Sequence, residues 1–196
     1  MQIPIFPLNG AIMFPKTNLP LNIFEERYID MINYSLANSR HIGMVQYKPN
    51  NSLYSIGCYG KITVFNETAD KRYLINLEGI NCFKILKEVE TSYKFRICEI
   101  ETFNNYNNDN LEDNLKIKLL EIYNEYNELK KINLSLDEIS KLNIIDLLKL
   151  IVMVSPFDVN AKQMFLELKS NKDLYDNVLS MLEIELASCY QTTSIN

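Results

Sequence analysis

The chain has 196 residues, of which 47% are hydrophobic and 23% are charged, so it can bury a sizeable core without disulfide or metal support. Its formal charge is −5, and residues 106–196 carry 9 Lys/Arg against 15 Asp/Glu. Residues 1–105 carry 11 against 10, without a dense basic run. Nucleic-acid binding normally needs clustered positive charge, so this distribution disfavours nucleic acid as a partner.

The four cysteines are far apart and form no CxxC pair, which predicts reduced, structural thiols of an intracellular protein. The first residues lack the basic and apolar regions of a secretory signal. The most apolar stretch, residues 147–154, is far too short to cross a bilayer. A cytoplasmic protein that does not insert into a membrane is expected.

The first forty residues change from extended to helical periodicity. Prolines punctuate the apolar residues 3–8, which is typical of an edge strand or extended segment. Asn22 and Glu25 have the spacing of a capping box, and a helix is predicted from there to about Asn38. Its apolar stripe is Tyr28, Ile29, Ile32 and Leu36.

Residues 42–103 show the alternation of short antiparallel strands. Polar turns are predicted at residues 66–71 and 90–92, and Gly79 is expected to interrupt a strand. Strands this short and closely connected favour a barrel-like or strongly twisted sheet, with the preceding helix covering one end. Residues 1–104 are therefore predicted to form a β-rich subdomain.

Beyond a polar linker at residues 105–114, the pattern is helical. Residues 115–190 are predicted to form a helical bundle, and residues 191–196 a frayed tail. One amphipathic stripe consists of Leu115, Leu119, Ile122, Tyr126 and Leu129. A capping signal at Ser170 and Asp173 precedes the last helix.

The side chains that catalysis or cofactor binding normally needs are missing from the pattern. His41 is the single histidine, which leaves no second imidazole for a catalytic relay or a multi-histidine zinc site. The five glycines form no phosphate-binding loop. Glu25 and Glu26 are adjacent on a helix and point about 100° apart, so they do not face one another as a catalytic pair. No catalytic residue, metal site or cofactor is predicted.

Several ordered motifs occur in the first 28 residues: PIFPL at residues 4–8, FP at 14–15, and LPLNIFEERY at 19–28. Together they resemble the amino-terminal domain family of Lon proteases. The similarity continues at residues 42–45, 56–62, 72–75 and 153–157, with Gly79, Phe83, Lys162 and Gln163.

This resemblance implies an α+β fold, in which a PUA-like β pseudobarrel with a covering helix is followed by a C-terminal helical bundle. In Lon proteases the domain recognises substrates, while an ATPase module and a Ser-Lys protease domain follow it. The Gly-rich nucleotide loop and the catalytic Ser and Lys of those domains have no counterpart here, so no enzyme activity is expected. Cereblon, which carries a related domain, uses it for partner binding.

The favoured hypothesis is a non-catalytic polypeptide-binding module, acting as a free-standing adaptor or holdase. Its partners are expected to be unfolded or client polypeptides, with a separate protease as a further candidate, and the oligomeric state is left open. The expected binding surface is a cleft between strands and helices, with four candidate aromatic residues: Tyr47, Phe65, Tyr73 and Phe103.

Two alternatives belong to other functional classes. An RNA-binding PUA-like protein would use a basic patch on the front half. An enzyme would instead need two facing carboxyl groups in a deep pocket. The residues of the basic patch are Lys61, Lys71, Arg72, Lys84, Lys94 and Arg96.

Overall fold

This computed structural model describes residues 1–104 and 111–193, which form two compact units. The first unit comprises residues 1–104 and 158–166, and the second contains the other described residues. The strands are β1 (Gln2–Pro7), β2 (Asn18–Ile23), β3 (His41–Val45), β4 (Ile56–Glu67), β5 (Tyr73–Val89) and β6 (Arg96–Phe103). The helices are α1 (Glu26–Ala37), α2 (Asp113–Lys130), α3 (Leu136–Ile139), α4 (Ile144–Val154), α5 (Val159–Glu167) and α6 (Asn171–Thr193).

The six strands form one mixed sheet that closes on itself. Their order is β2-β5-β4-β3-β1-β6, and β6 also pairs with β5. β1 and β3 are parallel, whereas the other pairs are antiparallel. Apolar side chains from β1, β3, β5 and β6 fill the interior, which confirms the predicted α+β class and barrel-like sheet. A cluster of buried residues there consists of Ile3, Ile5, Val45, Phe83, Cys98 and Ile100.

β5 continues through Gly79, so the predicted break in the strand is wrong, although the pairing of β5 with β4 shifts register between Gly79 and Asn81. The Gly79 N–H donates to the Thr17 carbonyl oxygen at 2.8 Å, and its own carbonyl accepts from Lys16 N–H at 2.8 Å. A Cβ atom at residue 79 would lie 2.1 Å from the Phe14 carbonyl oxygen. Glycine is therefore needed because the turn before β2 approaches this strand so closely.

The first helix begins one residue after Glu25, and the predicted capping box is wrong. Asn22 lies in β2, opposite Leu74, because residues 19–23 continue the alternation of an extended strand. Glu25 is the N-cap residue by position but makes no side-chain capping bond. Its carboxylate instead binds Arg27 at 2.9 Å, on the protein surface.

Helix α5 belongs to the strand unit, although the sequence groups it with the helical part at residues 115–190. Two buried glutamines explain this difference. Gln46 Nε2, from the end of β3, donates to Gln163 Oε1 and to the Val159 carbonyl, each at 3.2 Å. Gln163 Nε2 donates to the carbonyl oxygen of Ile56 at 3.1 Å. These buried hydrogen bonds attach the helix to the sheet.

The second unit has a core of aromatic and aliphatic side chains from α2, α4 and α6. The Tyr123 and Tyr126 rings are 6.1 Å apart, and Phe157 lies 5.9 Å from Tyr126. The Ser170 hydroxyl oxygen accepts from Asp173 N–H at 3.0 Å, as the predicted cap requires.

Two sequence predictions concern segments at the limits of this unit. Helix α6 continues to Thr193, three residues into the predicted frayed tail, and residues 194–196 lie outside the described chain. Most of the predicted linker, at residues 105–110, is likewise not described, and α2 begins at Asp113. None of the helices in the described residues is both long enough and apolar enough to cross a membrane.

Candidate functional site

Three aromatic rings meet where α1 faces the connection between β5 and β6. Tyr34 lies on α1, 5.1 Å from the Tyr93 ring and 5.5 Å from the Phe95 ring, measured between centroids. Tyr93 stacks on Phe95 at 4.9 Å. Phe95 is buried while Tyr93 is 50% exposed, so the cluster presents aromatic surface to solvent. Ring pairs in these geometries stabilise one another beyond the surface area that they bury.

These rings line a surface cavity of about 410 Å³, a volume that falls within the usual range of small binding pockets. The remaining lining groups are polar or charged and surround the rings. An apolar floor with a polar rim suits the binding of an apolar side chain whose backbone stays near water. We name this cavity the α1 pocket, lined by Asp30, Asn33, Tyr34, Ser92, Tyr93, Lys94 and Phe95.

The charges at the rim are solvent-exposed. Lys94 Nζ lies 3.6 Å from a Glu26 carboxylate oxygen, and both side chains are more than half exposed. Asp30 makes no ion pair among the residues that the structure describes. Exposed pairs of this kind add little to folding stability, so the rim charges remain available to a bound molecule.

Two of the predicted binding residues are in contact beside this pocket. The rings of Phe65, in β4, and Tyr73, in β5, pack edge to face with centroids 4.9 Å apart. The Tyr73 hydroxyl donates to Asn33 Oδ1 at 3.1 Å, and Asn33 lines the α1 pocket. Phe65 is 39% exposed, whereas Tyr73 is 9% exposed. The Phe65–Tyr73 pair therefore adjoins the pocket through Asn33.

The other two predicted residues lie elsewhere in the strand unit. Tyr47 is half-buried and bridges to Leu53; it also adjoins Tyr28, whose pKa is raised mainly by burial. Phe103 is half-buried at the end of β6 and pairs with Cys82. Phe65 pairs with a different part of β5, since it lies opposite Ile75, seven positions before Cys82.

The sequence contains a signal for the pocket residues that were not predicted. Tyr34 lies off the apolar stripe of α1, so its ring has no place in the core pattern. Tyr93 and Phe95 alternate directly after the predicted turn at residues 90–92. An aromatic residue off the core stripe, and another beside a turn, are the features that indicate exposed rings.

The cysteine thiols and the single histidine are the candidate reactive groups in the described part of the chain. All four cysteines are reduced and form no disulfide among the described residues. Burial raises the pKa of Cys98 to about 11, with a smaller contribution from Glu88, so this thiol is a poor nucleophile near neutral pH. Burial lowers the pKa of His41, as does the nearby Lys61. Within residues 1–104 and 111–193, no three His, Cys, Asp or Glu side chains are grouped to hold a metal ion.

Three of the six residues in the predicted basic patch lie beside carboxylates. Arg72 Nε lies 2.8 Å from Asp70, and Arg96 lies 3.0 Å from Glu88. Lys94 has Glu26 as its partner. These pairs lower the local positive potential that phosphate binding requires, which weakens the RNA-binding alternative.

Comparison with known proteins gives a match over almost the entire chain. Residues 2–183 match the family model described as the ATP-dependent protease La (LON) substrate-binding domain. The chain belongs to this family. Membership in the Lon substrate-binding domain family was expected from the proline and aromatic motifs of the first 28 residues, and this expectation is confirmed.

The curated relatives of this Lon-type domain are much longer proteins. A Lon protease of Buchnera aphidicola subsp. Acyrthosiphon pisum is 23% identical, over 95% of this chain and 25% of that protein. A Lon protease of Wolbachia pipientis subsp. Culex pipiens is 20% identical, over 94% of this chain and 25% of that protein. The chain thus spans about a quarter of the length of these relatives.

Solved Lon amino-terminal domains share the fold. The Lon N-terminal domain protein from Xanthomonas campestris superposes with a TM-score of 0.66 and 16% identity, covering 92% of this chain and 98% of that one. The N-terminal domain of Mycobacterium avium complex Lon protease gives 0.71 and 13%, covering 93% and 98%. The predicted PUA-like architecture is thereby confirmed for this Lon-family chain.

Proposed function

We propose that the chain is a non-catalytic polypeptide-binding module that holds apolar segments of unfolded client proteins. The observation that carries this proposal is the α1 pocket, in which three aromatic rings form an apolar floor beneath a polar rim. The match to a substrate-binding domain supports the same conclusion. The module acts as an adaptor or holdase in the cytoplasm, and a separate protease is a candidate partner.

Among the expected binding residues, Phe65 and Tyr73 extend the pocket. Their rings are in contact, and Tyr73 reaches the pocket residue Asn33. An apolar client side chain in the pocket and a second one against Phe65 would each lose water-exposed surface, which is favourable. Tyr47 and Phe103 are proposed as secondary contacts for longer clients.

The first test measures binding of a fluorescein-labelled, permanently unfolded polypeptide, such as reduced and carboxymethylated lactalbumin, by fluorescence polarisation. Tyr34→Ala and Tyr93→Ala should each weaken binding about tenfold, because a desolvated aromatic contact contributes on the order of 1.4 kcal/mol or more. Leu86→Ala is the matched control, since it removes an exposed side chain of β5 outside the pocket. Unchanged affinity of both tyrosine variants, or no binding by the wild type, would contradict the proposal.

The second test identifies the natural partners. The tagged protein is used to capture partners from a lysate of its own source, with and without nuclease, across a salt series. Unfolded or protease-associated polypeptides that survive nuclease and moderate salt support the adaptor function. Loss of every partner on nuclease treatment would favour the RNA-binding alternative instead.

A further inference from the structure

One edge of the sheet is open along the second half of β4. β4 pairs with β3 only as far as the Lys61–His41 position, and Ile62 N–H then donates to the Arg40 carbonyl at 2.9 Å. Beyond this point, residues 64–67 pair with β5 on one side. Along the described chain no strand pairs on their other side. The backbone there has the unused donors and acceptors of an edge strand.

The hydrogen-bonding direction of each residue follows from the turn that connects β4 to β5. Thr68 N–H donates to the Arg72 carbonyl at 2.9 Å, so residue 68 bonds towards β5. Because this direction alternates along an antiparallel strand, residue 66 also bonds towards β5. The N–H and C=O groups of Phe65 and Glu67 therefore point to the open edge.

The opposite side of β5 gives an independent check of this alternation. Gly79 N–H donates towards β2, to the Thr17 carbonyl at 2.8 Å. Because the direction alternates, the backbone N–H and C=O groups of residues 77, 75 and 73 also point towards β2. Those of residues 76 and 74 point towards β4. Asn76 and Leu74 lie opposite Val64 and Asn66, which agrees with the assignment made from Thr68.

The other open edge, that of β2, is protected, whereas that of β4 is not. Leu19 and Leu21 bond towards β5, so Pro20 points outward and presents no N–H donor to an incoming strand. β4 carries no proline in residues 63–67 and exposes apolar side chains on both faces of the sheet. Val64 is 57% exposed, and Phe65 packs against Tyr73. This edge has the features of a strand-addition site.

We propose that the β4 edge binds an extended client segment as an added antiparallel strand, hydrogen-bonded to Phe65 and Glu67. The inference rests on the proposed polypeptide-binding function and names its binding mode. Both strand neighbours of β4 are antiparallel, which favours the same direction for an added strand. An apolar client residue lies opposite Phe65 and packs on the Phe65–Tyr73 pair.

Charge complementarity defines a second feature of the client segment. Glu67 lies on the same face as Phe65, is exposed, and makes no ion pair among the described residues. A Lys or Arg two positions before the apolar client residue would lie opposite Glu67 in an antiparallel strand. The segment is therefore basic-x-apolar in sequence.

A second copy of this chain fits the same edge less well. If the β4 edges of two copies pair as antiparallel strands with Phe65 opposite Phe65, then Thr63 lies opposite Glu67. In the next register, Phe65 of one copy lies opposite Glu67 of the other. Neither register supplies a cation to the Glu67 carboxylate. A client segment of basic-x-apolar sequence forms hydrogen bonds with the edge backbone and an ion pair with the Glu67 carboxylate. The edge therefore favours such a client over a second copy of the chain.

The experiment uses labelled heptapeptides that alternate Thr with Lys and Leu, and fluorescence polarisation with the full chain. N-methylation of the Lys and Leu amides, which face the edge, should weaken binding about tenfold or more. N-methylation of the intervening Thr amides should change affinity by less than about twofold, because those amides point away from the edge. Equal effects of the two methylation patterns, or an effect of Thr methylation alone, would overturn the proposed geometry.

A charge exchange tests the Glu67 contact. The wild-type protein should bind the Lys-containing peptide about three times more tightly than a Glu-containing one. The Glu67→Lys variant should show the opposite preference, also by about threefold. The exposed Glu101→Lys in β6 is the matched control and should keep the wild-type preference. Loss of a dimer on Glu67→Lys, measured by analytical ultracentrifugation, would assign the edge to a second copy and overturn the proposal. If the unfolded polypeptide still binds while the heptapeptides show no methylation pattern, only this inference fails.

Discussion

Gln46 and Gln163, which lie 117 positions apart in the chain, share a buried hydrogen bond of 3.2 Å. The Gln46 amide nitrogen donates, and the Gln163 carboxamide oxygen accepts. Gln163 also donates to the Ile56 carbonyl at 3.1 Å. One buried side chain thus connects α5 to two strands of the sheet. Loss of a hydrogen-bonding partner inside a protein leaves a desolvated polar group unsatisfied, which is costly.

Replacing Gln163 by Leu should therefore lower the free energy of unfolding by about 1–3 kcal/mol, because the Gln46 amide loses an acceptor. Urea unfolding followed by circular dichroism measures this change, since the chain has no Trp for fluorescence. Met164→Leu, at a partly exposed position of the same helix, should stay within about 0.5 kcal/mol of wild type. Equal unfolding midpoints for wild type and the Gln163 variant would contradict this interpretation.

Replacing Gly79 by Ala should destabilise the strand unit by about 1–3 kcal/mol, the usual range for overpacking. The added methyl would lie 2.1 Å from a backbone oxygen of Phe14, which cannot rotate away as a side chain can. Thermal unfolding measures the effect. Ile80→Ala removes a side chain that is 40% exposed on the same strand and should change stability much less. A Gly79 variant as stable as the Ile80 variant would show that the turn relaxes freely.

The free energy of unfolding should fall between about pH 9 and pH 11 because of Cys98. Burial raises the pKa of this thiol from 9.0 to about 11 in the folded chain. In that interval the unfolded chain has lost the proton that the folded chain retains, so raising the pH favours unfolding. The stabilisation is fully present below about pH 9 and is lost as the pH rises to about 11.

Cys98→Ala should flatten this dependence by about 2–3 kcal/mol over the interval, at about 1.4 kcal/mol for each pKa unit. The comparison uses the slope of stability against pH, because the substitution also changes stability at neutral pH. Cys189→Ala is the control variant, since its thiol is only partly buried. Parallel pH profiles for wild type and Cys98→Ala would exclude this thiol as the cause.

Two ion pairs between α2 and α6 should differ in their contribution to stability. Lys130 Nζ lies 2.6 Å from Glu185, with both side chains partly buried, and this hydrogen bond is the main cause of the raised pKa of Lys130. Lys118 lies 3.7 Å from Glu183 on the surface. Glu185→Gln should cost about 1 kcal/mol, and Glu183→Gln less than about 0.5 kcal/mol.

Urea unfolding at low and high sodium chloride measures this difference without the screening that guanidinium would add. The cost of Glu185→Gln should decrease at high salt, though less than for a fully exposed pair. Equal costs for the two variants at low salt would show that partial burial of the Lys130–Glu185 pair does not strengthen it.

Periodicity predicted the helix α2 correctly but only part of its buried face. Leu119 and Tyr126 are buried as the apolar stripe requires, whereas Leu129 is 42% exposed. Tyr123, outside the predicted stripe, is fully buried. Leu129 lies in the last turn, just before Lys131 adopts a left-handed conformation and ends the helix. The apolar stripe predicts where a helix forms, but the packing of neighbouring elements determines which of the helix's aromatic residues are buried.

The sequence predicted the fold more completely than it predicted the residues of the candidate site. Phe65 and Tyr73 share a hairpin, so their contact follows from strand alternation. The contact between Tyr34 and Tyr93 depends on how α1 packs over the sheet, which periodicity does not specify. The attachment of α5 through Gln163 depends on the same kind of distant packing.

The strand unit is interrupted in the chain, and this has a consequence during protein synthesis. All six strands are synthesised before residues 105–157 of the other unit, and α5 follows only afterwards. During that interval the Gln46 amide and the Ile56 carbonyl lack the helix that later pairs with them. A nascent chain that stalls in this interval carries all six strands but lacks α5, so chaperones and proteases would encounter an incompletely packed strand unit before this helix emerges.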